Sequence, residues 1–223
     1  MSTITETPVR PAGSEQSPDR LPRTAVLVGS TRVGRAGDAV AGWFVGWAER
    51  QAELDVDVID LGEFDFPLRY PARPTPAMSA FTGRVAAADA FVVVTPEYNH
   101  GYPASLKQAV DFACDEWFAK PAGFVSYGTT GQGLRAVEQL RLVFAALHMV
   151  TVPEVVSFNL FDGSVTDDGL PRDLAGAGAG VCTAPGDPGR PGYRRRPGCG
   201  ARGVTWATIG AGGGWAGTGD RRG

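Results

Sequence analysis

The chain has 223 residues and a formal net charge of −3, enough for one domain with appendages and a substantial core. That charge gives no reason to expect nucleic acid as a partner. Three scattered cysteines, Cys114, Cys182 and Cys199, exclude a Cys-x-x-Cys pair and argue for a reducing compartment. With only two histidines, His100 and His148, they also argue against a zinc site. No apolar run approaches the roughly 18 residues that span a bilayer. The N-terminus is polar and proline-containing, without the apolar core of a signal peptide. The expectation is a cytoplasmic protein with no membrane association. Residues 1–22 read as a disordered lead-in.

The first predicted element is a strand, Thr24–Val28, apolar without alternation, as suits a parallel strand covered on both faces. A helix is predicted from about Gly37 to Gln51, with Val40, Trp43, Phe44 and Trp47 at helical spacing. Asp55–Asp60 reads as a second strand, followed by the proline-rich loop PLRYPARPTP. Ala77–Ala88 reads as a helix and Ala90–Thr95 as a third strand. Ala104–Ala113 reads as helix, Gly123–Tyr127 as a fourth strand and Leu134–Met149 as an amphipathic helix. Thr151–Asn159 closes the series as a fifth strand with a kink at Pro153. Alternating strands and helices mean βαβ units and a parallel sheet. Five strands in this order fit a flavodoxin-like doubly wound α/β sheet of order 2-1-3-4-5, with ligands at the carboxyl ends of the strands.

The main domain is expected over residues 23–173. Residues 174–223 hold 16 of the 31 glycines, seven of the 21 basic residues and two of the 24 acidic ones. Low-complexity Gly/Pro/Arg text without an apolar period cannot offset the entropy of ordering, so disorder is expected there. A frameshifted GC-rich reading would produce such text; a genuine basic tail is the alternative. No helix is legible after the fifth strand. Its lack is expected to leave apolar surface near the first and third strands open to water.

Three loops carry candidate chemistry. In "VLVGSTRVGRAGDAV" a strand passes into a helix through glycines, hydroxyls and arginines. A helix start offers free N–H groups and a positive dipole end to an anion. Ser30 and Thr31 add donors, Arg32 or Arg35 adds charge, and Gly29 and Gly34 let the backbone turn closely. An ordinary polar turn with a Ser/Thr cap would read the same way. The second loop, Pro96, Glu97, Tyr98 and Asn99, ends the third strand and should face the same crevice. Asn99 can donate and accept at the edge of a heterocycle, and Tyr98 offers an aromatic surface. The third loop, Ser126–Gly133, carries three glycines whose backbone N–H groups could stabilise negative charge. No nucleophile, acid–base pair or metal-ligand set is legible.

"GSTRVGR" and "TPEYNHGYPASLKQAVDF" resemble the NADPH-dependent FMN reductase family of flavodoxin-like proteins. "AKPAGFVSYGTTGQG" is similar to that family's Lys-Pro strand and glycine-rich third loop. The resemblance runs from about Thr24 to Asp173. It implies an FMN-dependent oxidoreductase that takes hydride from NADPH or NADH and reduces a small acceptor: flavin, quinone or azo compound. Carried over by position, Ser30, Arg32 and Arg35 would hold the FMN phosphate, with Thr31 and Gly34 in the same loop. The family often has serine where Arg35 stands. Pro96, Glu97, Tyr98 and Asn99 would border the ribityl chain and isoalloxazine, as would Tyr127, Gly128 and Thr129; Glu97 is also expected to make structural hydrogen bonds. The resemblance also implies a homodimer or homotetramer, in which the helices after the second and third loops, Ala104–Ala113 and Leu134–Met149, pack together and close the flavin site; the wide apolar stripe of the 134–149 helix suits such a contact, and Trp117 and Phe118 are expected to join it. Core packing alone is the rival account of the stripe. An FMN-binding electron carrier or redox sensor, or a product inactivated by its C-terminus, are the alternatives to an enzyme.

Overall fold

The computed structural model describes residues 20–50 and 54–161. In chain order they form β1 (Arg23–Val28), α1 (Gly37–Ala48), β2 (Asp55–Asp60), α2 (Pro76–Ala87) and β3 (Ala90–Pro96). Then come α3 (Ala104–Phe112), β4 (Pro121–Gly128), α4 (Leu134–Ala146) and β5 (Val150–Asn159). The strands make one parallel sheet in the order β2-β1-β3-β4-β5, the flavodoxin-like order expected. Two short 3-10 turns, Leu61–Glu63 and Asp115–Trp117, carry no legible period and were not expected.

Alternation along each strand sends side chains to two core layers. Ala25, Leu27, Phe91, Val93, Ala122 and Phe124 meet the inner faces of α2, α3 and α4. Val26, Val28, Val92, Val94, Val125 and Tyr127 cluster with Val40, Trp43 and Phe44 of α1. β3 and β4 are buried along their whole lengths, which explains their mostly apolar text without alternation. The expectation of open apolar surface near β1 and β3 is corrected here. Val26, Val28, Val92 and Val94 are each no more than 3% exposed, because α1 itself lies over both strands.

Polar devices fix the ends of elements. The Lys120 ammonium donates to the carbonyls of Val85 and Ala86, at 2.8 and 3.0 Å, capping the last turn of α2. The predicted kink at Pro153 is a break in register. Thr151 faces Ala122, yet Val155 is already opposite Phe124. Arg141 of α4 holds it by donating to Thr151 Oγ1 and to the carbonyls of Val152 and Pro153.

Trp117 is a correction. It is fully buried among Phe81, Phe91 and Phe144, and its indole N–H donates to the Val110 carbonyl at 3.1 Å. The 3-10 turn points it inward, whereas Phe118, next in the chain, is exposed against His148. At the other end, Arg20 donates to both carboxylate oxygens of Asp89 and the Pro22 carbonyl accepts from Asp55 N–H. The expectations for the rest of the lead-in and for residues 174–223 fall outside the described residues. Among the described residues, no helix is long and apolar enough to cross a membrane.

Candidate functional site

Parallel pairing puts the loops after β1, β3 and β4 on one edge of the sheet. Val28 is level with Val94, and Pro96 with Tyr127, so the three loops stand side by side. The chain order reverses between β1 and β3, the usual place for a ligand crevice in such sheets.

The first loop is anchored at Gly29, whose N–H donates to the Val94 carbonyl at 2.9 Å. A Cβ there would lie 2.9 Å from Leu106 Cδ2, so only glycine lets α3 pack this close. Ser105 of α3 donates to the Gly29 carbonyl at 3.2 Å. Ser30 is fully buried; its hydroxyl lies 2.9 Å from that of Tyr98 and accepts from Arg32 N–H at 3.4 Å. Thr31, Arg32, Val33 and Gly34 form an exposed tip, turned at Gly34 with φ of 70°. The Arg32 guanidinium has no partner among the described residues.

α1 starts at Gly37 with no side-chain cap, whereas α2 is capped by the Thr75 hydroxyl accepting from Met78 N–H. The first N–H groups of α1 are therefore left for an anion. The Tyr127 hydroxyl reaches the same place. A Cβ on residue 37 would come within 2.6 Å of it. It is buried and in reach of Ser30, but forms no hydrogen bond of good geometry among the described residues, since the Ser30 hydroxyl is already engaged with Tyr98. Burial pushes its pKa up, with Tyr98 adding to the effect and Ser30 and Arg35 opposing it, so it stays a protonated donor. A buried donor without an acceptor, beside an uncapped helix start, is the pattern an anion would complete. The residues present fit a phosphate.

Arg35 sits differently. Its Nε donates to Asp38 at 2.7 Å, and its other nitrogens donate to the Asp60 carboxylate and the Ser30 carbonyl. Burial opposes its charge, but the hydrogen bonds and fields of Asp60 and Asp38 outweigh that and raise its pKa. Asp60 also accepts from Gly62 N–H at 2.8 Å. Arg35 thus ties the first loop to the end of β2 through groups already engaged.

The second loop turns tightly. Asn99 and His100 have φ of 50° and 68°, and Tyr98 and Gly101 exchange backbone hydrogen bonds of 2.8 and 3.0 Å. That is the two-residue turn requiring two left-handed residues, and asparagine and histidine tolerate that region best after glycine. Gln139 of α4 donates to the His100 carbonyl at 2.8 Å, fixing the turn with Asn99 at its tip. Glu97 points away from the tip. Its carboxylate accepts from Arg135 Nε at 2.6 Å and from Arg135 N–H at 3.3 Å, at the start of α4. In the third loop, Thr129 and Thr130 are exposed, and the Gly128 carbonyl accepts from Leu160 N–H at 2.8 Å.

The structure therefore brings Ser30, Tyr98 and Tyr127 together at the start of α1. It leaves Thr31, Arg32 and Gly34 on one tip, Asn99 on a second and Thr129 on a third. Arg35 and Glu97 lie behind these tips in internal ion pairs. Gly37, Asp60 and Arg135 escaped the sequence reading. For Gly37 the glycine beside a helix start was a signal; for the other two only the fold supplies one.

A doubly wound sheet with three loops gathered at the β1–β3 switch point defines a flavodoxin-like domain. Residues 22–162 match the family model described as NADPH-dependent FMN reductase. An NAD(P)H-dependent FMN reductase of Schizosaccharomyces pombe is 35% identical over 150 residues, spanning 62% of this chain and 74% of that protein. An FMN-dependent NADPH-azoreductase of Staphylococcus haemolyticus is 30% identical over 152 residues, covering 65% and 80%. Among solved structures, the flavoenzyme NAD(P)H:(acceptor) oxidoreductase FerB of Paracoccus denitrificans shares the fold. Its TM-score is 0.57 at 24% identity, over 69% of this chain and 87% of that one. The chain belongs to the NADPH-dependent FMN reductase family and is an oxidoreductase.

Proposed function

We propose that the protein binds FMN and passes hydride from NADPH or NADH to a small acceptor, a flavin, quinone or azo compound. The observation that carries this is the anion cradle at the start of α1. It combines a helix without a side-chain cap, a buried Ser30, and, among the described residues, an Arg32 guanidinium without a partner and a buried Tyr127 hydroxyl without a well-formed hydrogen bond. FMN, when bound, would supply the hydride chemistry. The protein binds and orients. Arg32, Thr31 and the N–H groups of α1 would hold its phosphate, with the Tyr127 hydroxyl as a further donor. Tyr98, Asn99, Gly128 and Thr129 border the rest of the cofactor. No side chain is required to move a proton.

Arg32→Ala should weaken FMN binding by about 1–3 kcal/mol, the scale of a charge-assisted hydrogen bond to an anion, with the fold intact. Calorimetric titration reads this; an unchanged affinity would show the cradle to be misassigned. Steady-state NADPH oxidation with menadione, an azo dye or free flavin as acceptor tests the reading itself. Turnover supports a reductase; FMN binding without turnover leaves an electron carrier.

A second copy of the chain is proposed as the partner. Leu134 and Leu142 of α4 are exposed, as are Phe118 and Val150 outside it. Sedimentation or light scattering would give the assembly. A cytoplasmic location rests on the sparse cysteines.

A further inference from the structure

The second and third loops meet at a single carboxylate. The Glu97 side chain is only 8% exposed, while its partner Arg135 is 45% exposed. Glu97 accepts from the Arg135 side chain and from its backbone N–H, the second residue of α4. That N–H is one of the donors a helix start leaves unpaired, and Gly133, the preceding cap residue, has no side chain to satisfy it. Glu97 therefore caps α4 from a different loop, 38 residues earlier in the chain. The third loop is shaped around it. A Cβ on Gly131 would lie 2.7 Å from Glu97 Oε2, and one on Gly128 would lie 3.6 Å from Glu97 Cβ. At its own backbone, Glu97 N–H donates to the Tyr127 carbonyl at 3.1 Å, where the third loop begins.

We infer that Glu97 is a positioning residue rather than a cofactor ligand: its carboxylate latches the third loop to the second by capping α4 and pairing with Arg135. A negative charge near a helix start and a guanidinium has both partners supplied by the protein. It offsets the positive end of α4 with a charge from the second loop. The step from loop order to cofactor affinity rests on the FMN reading above; the latch does not.

The test uses the full chain and two variants, Glu97→Gln and Arg135→Ala. Glu97→Gln keeps the shape and one acceptor but removes the charge. Arg135→Ala removes the guanidinium and leaves the backbone cap. Amide hydrogen exchange in protein without added ligand is followed at Gln132, Leu134 and Arg135, with the β1 amides as a control for global stability. The expected result is about ten-fold faster exchange or more at these three amides in Glu97→Gln, and a smaller rise in Arg135→Ala, with β1 unchanged. FMN affinity should fall in the same order. Unchanged exchange in both variants would overturn the latch, and if FMN affinity fell nonetheless, Glu97 would be a direct ligand. Faster exchange in a protein that takes up no FMN even as wild type would keep the latch and overturn the flavin reading alone.

Discussion

Replacing Gly133 by alanine should remove roughly 2–5 kcal/mol of stability and disorganise the third loop. Gly133 caps α4 with φ of 84°, where an L side chain costs about 1–2 kcal/mol. The added Cβ would also lie 2.6 Å from Ser126 Cβ and 2.8 Å from Tyr127 N. Backbone cannot rotate out of the way as a long side chain can, so strain of about 1–3 kcal/mol adds to the first term. Gly83→Ala is the control. Gly83 lies inside α2 with nothing within 4 Å of its Cβ position, and alanine there should stabilise by about 0.5–1 kcal/mol. Urea unfolding of the two variants reads both signs. A Gly133→Ala protein as stable as wild type would mean that the loop has another conformation.

Trp117→Ala is expected to have an effect of similar size for a different reason. The indole is fully buried in the layer under α2 and α4, with ring centroids 4.7 Å from Phe91 and 5.9 Å from Phe144. Truncation leaves a cavity and strands the Val110 carbonyl that the indole N–H satisfies. Loss of a buried tryptophan typically costs about 3–5 kcal/mol, a large share of the 5–15 kcal/mol that holds a domain together. The melting temperature should fall by on the order of 10 °C. A shift within a degree or two would return Trp117 to the surface and to a partner interface.

Trp117 shows where sequence reading stops. The strands were legible because β3 and β4, buried at every position, carry mostly apolar text without alternation, as a strand covered on both faces requires. The α1 stripe of Val40, Trp43 and Phe44 was legible by its period, and Pro153 announced the irregular edge of β5. In a 3-10 turn of three residues there is no period, so Trp117 and Phe118 could not be assigned to opposite sides. The candidate loops were legible as loops because glycine, hydroxyl and proline text marks them. Their internal partnerships were not. Ser30 with Tyr98, Arg35 with Asp60 and Glu97 with Arg135 join residues 68, 25 and 38 apart, and only the strand register brings them together. The ion pairs of Arg35 with Asp38 and Asp60, and the choice of Arg135 as the partner for the structural hydrogen bonds expected of Glu97, were therefore not legible. Tyr127, expected near the ring, has its hydroxyl at the start of α1 because alternation along β4 turns it to the α1 face.

The absorption spectrum of the purified protein, titrated with FMN and then with NADPH in the absence of oxygen, tests the central claim most directly. The account requires a perturbed flavin spectrum at stoichiometric FMN, bleaching on addition of NADPH and recovery when an acceptor is supplied. A protein that stays colourless and leaves the spectrum of added FMN unchanged would contradict it.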